Sequence, residues 1–348
     1  MTEVMAAAVA FVIGAQIDVG PGQPLAPALA LARPGDVVRL GPGVHRGTLG
    51  RAAAGLRVEG AGAGLTVVVA PEGEDGAVAA GALQLAGLTL RAGPERCALK
   101  VLGGDARLED VALAGGACGA FVDAGRLSGR GVALTGGYGL LVRAGDVSIE
   151  EGSARGRDAG VGVLGGAATL RRFAVTGPSR EAGISVAGGT ASLEAVVIRS
   201  PGPSGISVSG RGRVEALDVT VAGASEDMGM LGDCAQLNQG TLRLAGATLV
   251  RCAGAAVEVS RGELRLDGVD AAGGAAGCLV LVNGAAAELA GNLCVGRGPG
   301  LVVASRARAR LVANRWWTDP VLWADCAGGV RVEVGRGETL KTPCAGGP

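Results

Sequence analysis

A phrase of small or glycine residues closing on an apolar anchor recurs along most of this chain at intervals near 21 residues. It runs CALKV to Val101, GAFV to Val122, GLLV to Val142, GVGV to Val163, GISV to Val186 and again to Val208. It continues as CAQL to Leu237, AVEV to Val259, LVLV to Val282 and LVV to Val303, with successive intervals of 21, 20, 21, 23, 22, 29, 22, 23 and 21 residues. A unit of that size cannot bury its own apolar face and must stack on its neighbours. After each anchor come a glycine-containing turn and a second alternating stretch, such as Leu108-x-x-Val111-x-Leu113 or Leu170-x-x-Phe173-x-Val175. Each unit therefore holds at least two short strands.

Strand units of this length stack in few ways. A leucine-rich repeat needs L-x-x-L-x-L-x-x-N/C-x-L and hexapeptide coils need a strict six-residue phase; neither is present. A membrane barrel needs aromatic girdles, whereas the 348 residues include only Phe 3, Trp 3 and Tyr 1. The remaining solution is an all-β parallel β-helix, in which each strand turns one face to a continuous core and hydrogen-bonds the next coil about 4.8 Å away. The 65 glycines suit its corners. Anchors plus an end coil or two give about 10–12 coils. The expected organisation is one β-helix domain over 16–348, with an N-terminal cap and first coils over 16–96, regular coils over 97–312 and a C-terminal cap over 313–348. Residues 1–15 read either as a first strand or as a signal-like segment, because the apolar run Met5 to Ala15 follows Glu3 instead of positive charge.

Both ends carry recognisable phrases. An Ala/Leu-rich stretch from Leu25 to Ala32 precedes Pro34-Gly35-Asp36-Val37-Val38-Arg39-Leu40-Gly41-Pro42-Gly43-Val44-His45, and Asn314-Arg315-Trp316-Trp317 stands near the finish. The first resembles the opening of right-handed parallel β-helix proteins of the pectate-lyase-like superfamily. The second resembles the N-x-W-W closing phrase of NosD-type and periplasmic copper-binding-type β-helix repeats. The resemblance spans almost the whole chain and implies right-handed winding, a short helix capping the first coil, and a link to acidic polysaccharides. The superfamily's enzymatic phrases are missing: G-N-V-D-F-I-F-G of pectin methylesterases, the N-T-D, D-D, G-H-G and R-I-K set of polygalacturonases, and D-P-H-E of mannuronan epimerases. Pectate lyases place Ca²⁺-binding acids beside an Arg or Lys base, and the only lysines here are Lys100 and Lys341.

Eight cysteines fall in sequential pairs, Cys97/Cys118, Cys234/Cys252, Cys278/Cys294 and Cys326/Cys344. Cys97 and Cys118 each precede an anchor by four residues, so stacking places one above the other. A coil spacing near 4.8 Å lies within the Cα separation of about 4.4–6.8 Å that a disulfide spans. The other pairs are less well phased: a Cys252–Cys278 link is an alternative, and so is a plain role as small buried apolar residues. No C-x-x-C occurs and the one histidine, His45, stands far from the cysteines, so neither a metal nor a cofactor site is expected. Disulfides point to the periplasm, the cell surface or secretion.

The 32 basic and 32 acidic residues are interspersed, which removes the electrostatic footprint of a nucleic-acid or anionic-membrane binder. No uninterrupted apolar stretch reaches the length of about 18 residues that a membrane span needs. Counted from the anchors, Asp105, Arg126 and Asp146 share one phase and should form a ladder over three coils. Asp123 and Arg143 share another, and Tyr138 takes the phase of Cys97 and Cys118. Acids, a cationic clamp and the only phenol suit uronate binding or proton abstraction. The plain alternative is surface charge pairing worth about 0.2–1 kcal/mol per pair. His45 reads as a packed or exposed turn residue, and Trp316, Trp317 and Trp323 as a plug of the last coil in preference to a sugar platform. Gly60-Ala61-Gly62-Ala63-Gly64 is no dinucleotide loop, because a strand follows it instead of a helix. The 29-residue interval marks an inserted loop around Ala224 to Gly232, made acidic by Glu226, Asp227 and Asp233, with Met228 and Met230 available to a partner; a tolerated surface insertion is the equal alternative. The function that follows is an exported, non-catalytic β-helix that binds carbohydrate, a polysaccharide or another cell-envelope component, or serves as a structural module. The alternative is a polysaccharide lyase, hydrolase or esterase using the Asp105–Tyr138–Arg143 region.

Overall fold

The computed structural model describes residues 14–52, 55–225, 232–325 and 329–338. The chain winds into a parallel β-helix of about 14 coils. Each regular coil lays a short strand on each of three faces, here sheets 1, 2 and 3. Sheet 2 opens with Gln16–Val19, Val37–Leu40, Leu56–Glu59 and Leu83–Ala86 and ends with Arg331–Val334. Sheet 3 runs from Gly43–Arg46 to Arg315–Trp317, and sheet 1 from Gly50–Ala52 to Leu322–Ala324. A coil passes through sheets 2, 3 and 1 in turn, and its strands pair in parallel with those of adjacent coils.

The anchors stack as their spacing predicts. Val101, Val122, Val142, Val163, Val186 and Val208 are consecutive partners in sheet 1 and are fully buried. The stack continues through Leu237, Val259, Leu281 and Val303. Leu281, not Val282, fills the slot, so the step from Val259 shortens by one residue and the register stays even. The coil count exceeds the expected 10–12 because the first coils give sheet 1 only the three-residue strands Gly50–Ala52 and Ala77–Ala79. They carry no anchor phrase to count.

Small side chains fill this interior, and the one aromatic ring fully buried among the described residues shows why. Phe173 is buried opposite Gly152 of the preceding coil, where an added Cβ would lie 2.7 Å from the Phe173 ring. A phenyl group fits only where the neighbouring coil gives up its side chain. His45 is also fully buried, in Gly43–Arg46, with its ring donating from Nε2 to the Gly41 carbonyl at 2.8 Å.

The corner between sheets 2 and 3 is the tightest. One residue takes a left-handed conformation there in coil after coil, including Gly87, Asp110, Gly131, Glu151, Arg172, Ala195, Asp218, Gly246, Gly268, Gly291 and Ala313. At the last two of these corners, buried asparagines stack directly after the turn. Asn292 donates from Nδ2 to the Leu266 carbonyl at 3.1 Å and to Asn314 Oδ1 at 2.8 Å. Asn314 donates in turn to Glu338 Oε2 at 3.0 Å, and Trp316 donates from Nε1 to Glu338 Oε1 at 2.8 Å. The Asn314–Trp316 phrase therefore closes on one carboxylate. Only Trp316 packs on the core; Trp317 and Trp323 are 68% and 52% exposed, so two of the three expected plug residues face outward.

At the opposite end a seven-residue helix, Leu25–Leu31, lies between the first two rungs of sheet 2 and buries Leu25. The Asp36 carboxylate of the opening phrase accepts the amides of Ala15 at 2.7 Å and Arg33 at 2.8 Å. Those hydrogen bonds hold its pKa below the usual carboxylate range. Three disulfides brace the coils: Cys97–Cys118, Cys234–Cys252 and Cys278–Cys294, with Cα separations of 4.5, 5.3 and 6.1 Å. The Cys252–Cys278 alternative is thereby excluded. The expected Cys326–Cys344 pair, the Glu226–Met230 part of the inserted loop and nearly all of the signal-like segment lie outside the described residues.

A left-handed residue with a Cβ carries a steric cost of about 1–2 kcal/mol that glycine avoids. Ala195 is exposed at φ 53° and makes no core contact. Ala195→Gly should raise the unfolding free energy by about 1 kcal/mol in urea or guanidinium titrations, with the m-value unchanged.

Candidate functional site

The structure divides the six sequence candidates between two faces. Asp105, Arg126 and Asp146 are register partners on the outer surface of sheet 2, as their phase predicts. All three are exposed, and no ion pair joins them. Asp123 and Arg143 sit beyond the sheet 1 strands at the corner leading to sheet 2 and form a salt bridge. The Arg143 guanidinium also lies 5.9 Å from the Phe121 ring centroid, a cation–π contact. Arg143 is thus already engaged twice within the protein.

Tyr138 belongs to a different group at the corner entering sheet 1. Its hydroxyl donates to Glu181 Oε1 at 2.8 Å, two coils further on. Between them, Asp158 lies 3.7 Å from both the Arg157 and the Arg180 guanidinium. The backbone sets this stack, because Arg180 and Glu181 donate their amides to the Arg157 and Asp158 carbonyls at 2.9 Å. Two glycines make room for it. A Cβ at Gly162 would lie 3.1 Å from the Tyr138 ring, and one at Gly137 would lie 2.9 Å from Asp158 Oδ2. Burial, followed by the hydrogen bond to Glu181, pushes the Tyr138 phenol up to about 12. At neutral pH the phenol is a proton donor and not a base. Arg157 and Asp158 lie inside the long strand Asp146–Val163, whereas Arg180 and Glu181 lie in the bend before Ala182–Val186, so no shared sequence phase links the four. The neighbouring backbone pairing was their only signal.

Beyond Tyr138, the outward positions of sheet 1 form a polar strip: Gly162, Ser185, Ser207, Gln236 and Glu258 are successive partners. Glu258 closes the strip beside Asp233, which is 3% exposed. Asp233, which the sequence pattern assigns to the acidic inserted loop, is instead buried: it accepts the Ala255 amide at 2.6 Å and neighbours the Glu258 carboxylate. The same construction occurs near the start of the sheet, where Asp75 accepts the Cys97 amide at 3.0 Å and pairs with Lys100 at 2.9 Å. Lys100 and Glu258 each stand three residues after the amide donor, so an acid replaces the counter-ion at the second position. Burial first, and then the Glu258 charge, push Asp233 up to about 7. Among the described residues, no three His, Cys, Asp or Glu side chains are grouped to hold a metal ion.

No protein-family model matches the chain, and no curated protein matches it. Among solved structures, the A-module of a mannuronan C-5 epimerase from Azotobacter vinelandii aligns over 86% of this chain and 91% of its own, with a TM-score of 0.52 and 12% identity. The catalytic domain of Agl-KA aligns over 90% of this chain and 66% of its own, with a TM-score of 0.48 and 12% identity. The catalytic domain of a GH87 α-1,3-glucanase aligns over 94% and 69%, with a TM-score of 0.45 and 12% identity. The first of these carries the fold comparison. The architecture is that of a right-handed parallel β-helix, the fold shared with the epimerase module.

The Asp233–Glu258 pair gives this face a pH signature. A carboxyl whose folded pKa lies above its unfolded value binds more protons in the native state, so its contribution to stability is lost as pH rises from about 4 to about 7. Asp233→Asn keeps an acceptor for Ala255 and supplies a donor to Glu258. Relative to the wild type, the variant should gain about 1–3 kcal/mol at pH 8 and almost nothing at pH 3.5. Paired denaturant titrations across that range check it, and a difference that stays constant with pH would contradict the assignment.

Proposed function

We propose that this protein is an exported β-helix that binds an acidic polysaccharide along the outer face of sheet 1, with the Tyr138 corner as its focus. The observation that carries the reading is the cross-coil group there: Tyr138 joined to Glu181 at 2.8 Å, with exposed Arg157 and Arg180 guanidiniums beside them. Guanidinium forks match carboxylates, and the flanking acids and phenol suit sugar hydroxyls. The strip of Ser185, Ser207 and Gln236 continues the surface along the rod with hydrogen-bonding groups and no fixed charge. A linear polymer lying parallel to the axis would meet a new coil about every 4.8 Å. Three disulfides fit an oxidising, extracytoplasmic setting. The similarity of fold to a mannuronan epimerase module supports the choice of polymer class.

A second reading, a polysaccharide lyase or hydrolase, is favoured by the Tyr138 phenol itself. A phenol that keeps its proton to about 12 is placed as a general acid toward a glycosidic oxygen, with water resupplying the proton after transfer. The two readings differ in turnover. In a panel of alginate, polygalacturonate and neutral glucans, the binding reading predicts retention of the uronate polymers without new reducing ends or unsaturated products. A combined Arg157→Ala and Arg180→Ala variant should weaken that binding at least tenfold. Turnover that disappears in Tyr138→Phe while binding persists would replace the binding reading with the enzymatic one. Failure to bind any uronate polymer would remove both.

A further inference from the structure

The outer face of sheet 2 carries a second feature that the Tyr138 corner does not use. Over its middle coils, arginines find acids in an adjacent coil: Arg130 meets Glu151 at 3.1 Å, Arg172 meets Glu150 and Glu151, and Arg171 meets Glu194 at 3.0 Å. Further along, Arg213 meets Glu215 at 2.8 Å, and Arg265 meets Asp267 at 2.7 Å and Glu288 at 3.7 Å. Past that point the ion pairs stop, although Arg310 stands between Glu288 and Glu333 in register. Arg308, Arg310 and Arg331 make no side-chain hydrogen bond or ion pair with any described residue, and all three line one hollow of about 520 Å³.

The sequence explains the hollow. One outward ladder of sheet 2 runs Thr241, Glu263, Ala286, Arg308, Arg331. Alanine at 286 leaves a gap between the long side chains of Glu263 and Arg308, and buried Ala287 and Ala309 lie in its floor. Arg308 and Arg331 are one coil apart, about 4.8 Å, and Arg308 and Arg310 are two residues apart on one strand, about 7 Å. Three guanidiniums at those spacings can grip one carboxylate from two sides. Glu263 and Glu333, also without an ion-pair partner among the described residues, line the same hollow as acceptors. The volume lies within the range of about 300–1,000 Å³ typical of small-ligand sites.

We infer that this hollow is a separate binding site for a carboxylated sugar, with Arg308, Arg310 and Arg331 holding the carboxylate and Glu263 and Glu333 accepting hydroxyls. It shares the polymer class of the proposed function but none of its residues. An acidic chain would therefore have two attachments on one rod, which raises the avidity of a long polymer over that of a short one.

The test is calorimetric titration of the full-length protein with a galacturonate hexasaccharide, with maltohexaose as the neutral control. The expected result is two sites for the acidic ligand and none for the neutral one. Arg308→Ala with Arg331→Ala should abolish one site and leave the other within threefold. Arg308→Lys with Arg331→Lys, which keeps charge but loses the fork, should weaken that site at least fivefold and retain it at low salt. These residues are exposed, and an unchanged melting temperature confirms that the variants fold. Acidic binding that is indifferent to both arginine pairs, or no acidic binding at all, overturns the inference. Loss confined to the Arg157→Ala and Arg180→Ala variant overturns it while leaving the proposed function standing. Loss confined to the Arg308→Ala and Arg331→Ala variant does the reverse.

Discussion

The structure depends on the parallel hydrogen bonding of each coil to the next. A strand in this fold has no partner within its own coil, so its backbone groups are satisfied only by equivalent strands one turn away. That requirement fixes the residues along the three sheets and leaves freedom only at the corners. The sheet 2–3 corner gives up that freedom, turning through a single left-handed residue in coil after coil. The approach to sheet 1 keeps it and absorbs the differences in coil length. The same backbone rule therefore separates a rigid edge, where asparagines stack and close on Glu338, from a variable one, where Tyr138, Asp158 and Glu181 meet.

How much of this was legible in the sequence follows the same division. The anchors from Val101 to Val303 could be read because inward positions repeat in both residue type and spacing. The single slip, Val282 for Leu281, came where two apolar residues are adjacent and either satisfies the pattern. Cys97–Cys118 was legible because both lie in regular strand. The first coils were not, since their sheet 1 strands are too short for an anchor. The phase of Asp105, Arg126 and Asp146 predicted a ladder correctly but not its emptiness, because register places Cα atoms and says nothing of where exposed side chains turn. Tyr138 shares a phase with Cys97 and Cys118, but its partner Glu181 lies 43 residues and two coils away, in a bend with no such phase.

Two of the charged features are departures from local compensation. Asp75 has Lys100, and the equivalent Asp233 has Glu258. The middle arginines of sheet 2 have acids in an adjacent coil, whereas Arg308, Arg310 and Arg331 share a hollow over Ala286. A repeat protein supplies its own control for such comparisons, because the same backbone position recurs with a different side chain.

The most direct test of the account is a crystal structure of the protein grown with a uronate oligosaccharide at a concentration above its measured Kd. The predicted result is a sugar chain along the rod axis on the outer face of sheet 1, with a carboxylate within hydrogen-bond distance of Arg157 or Arg180 and a hydroxyl or glycosidic oxygen at Tyr138. A complex in which the ligand is bound but the Tyr138 corner is bare would contradict it.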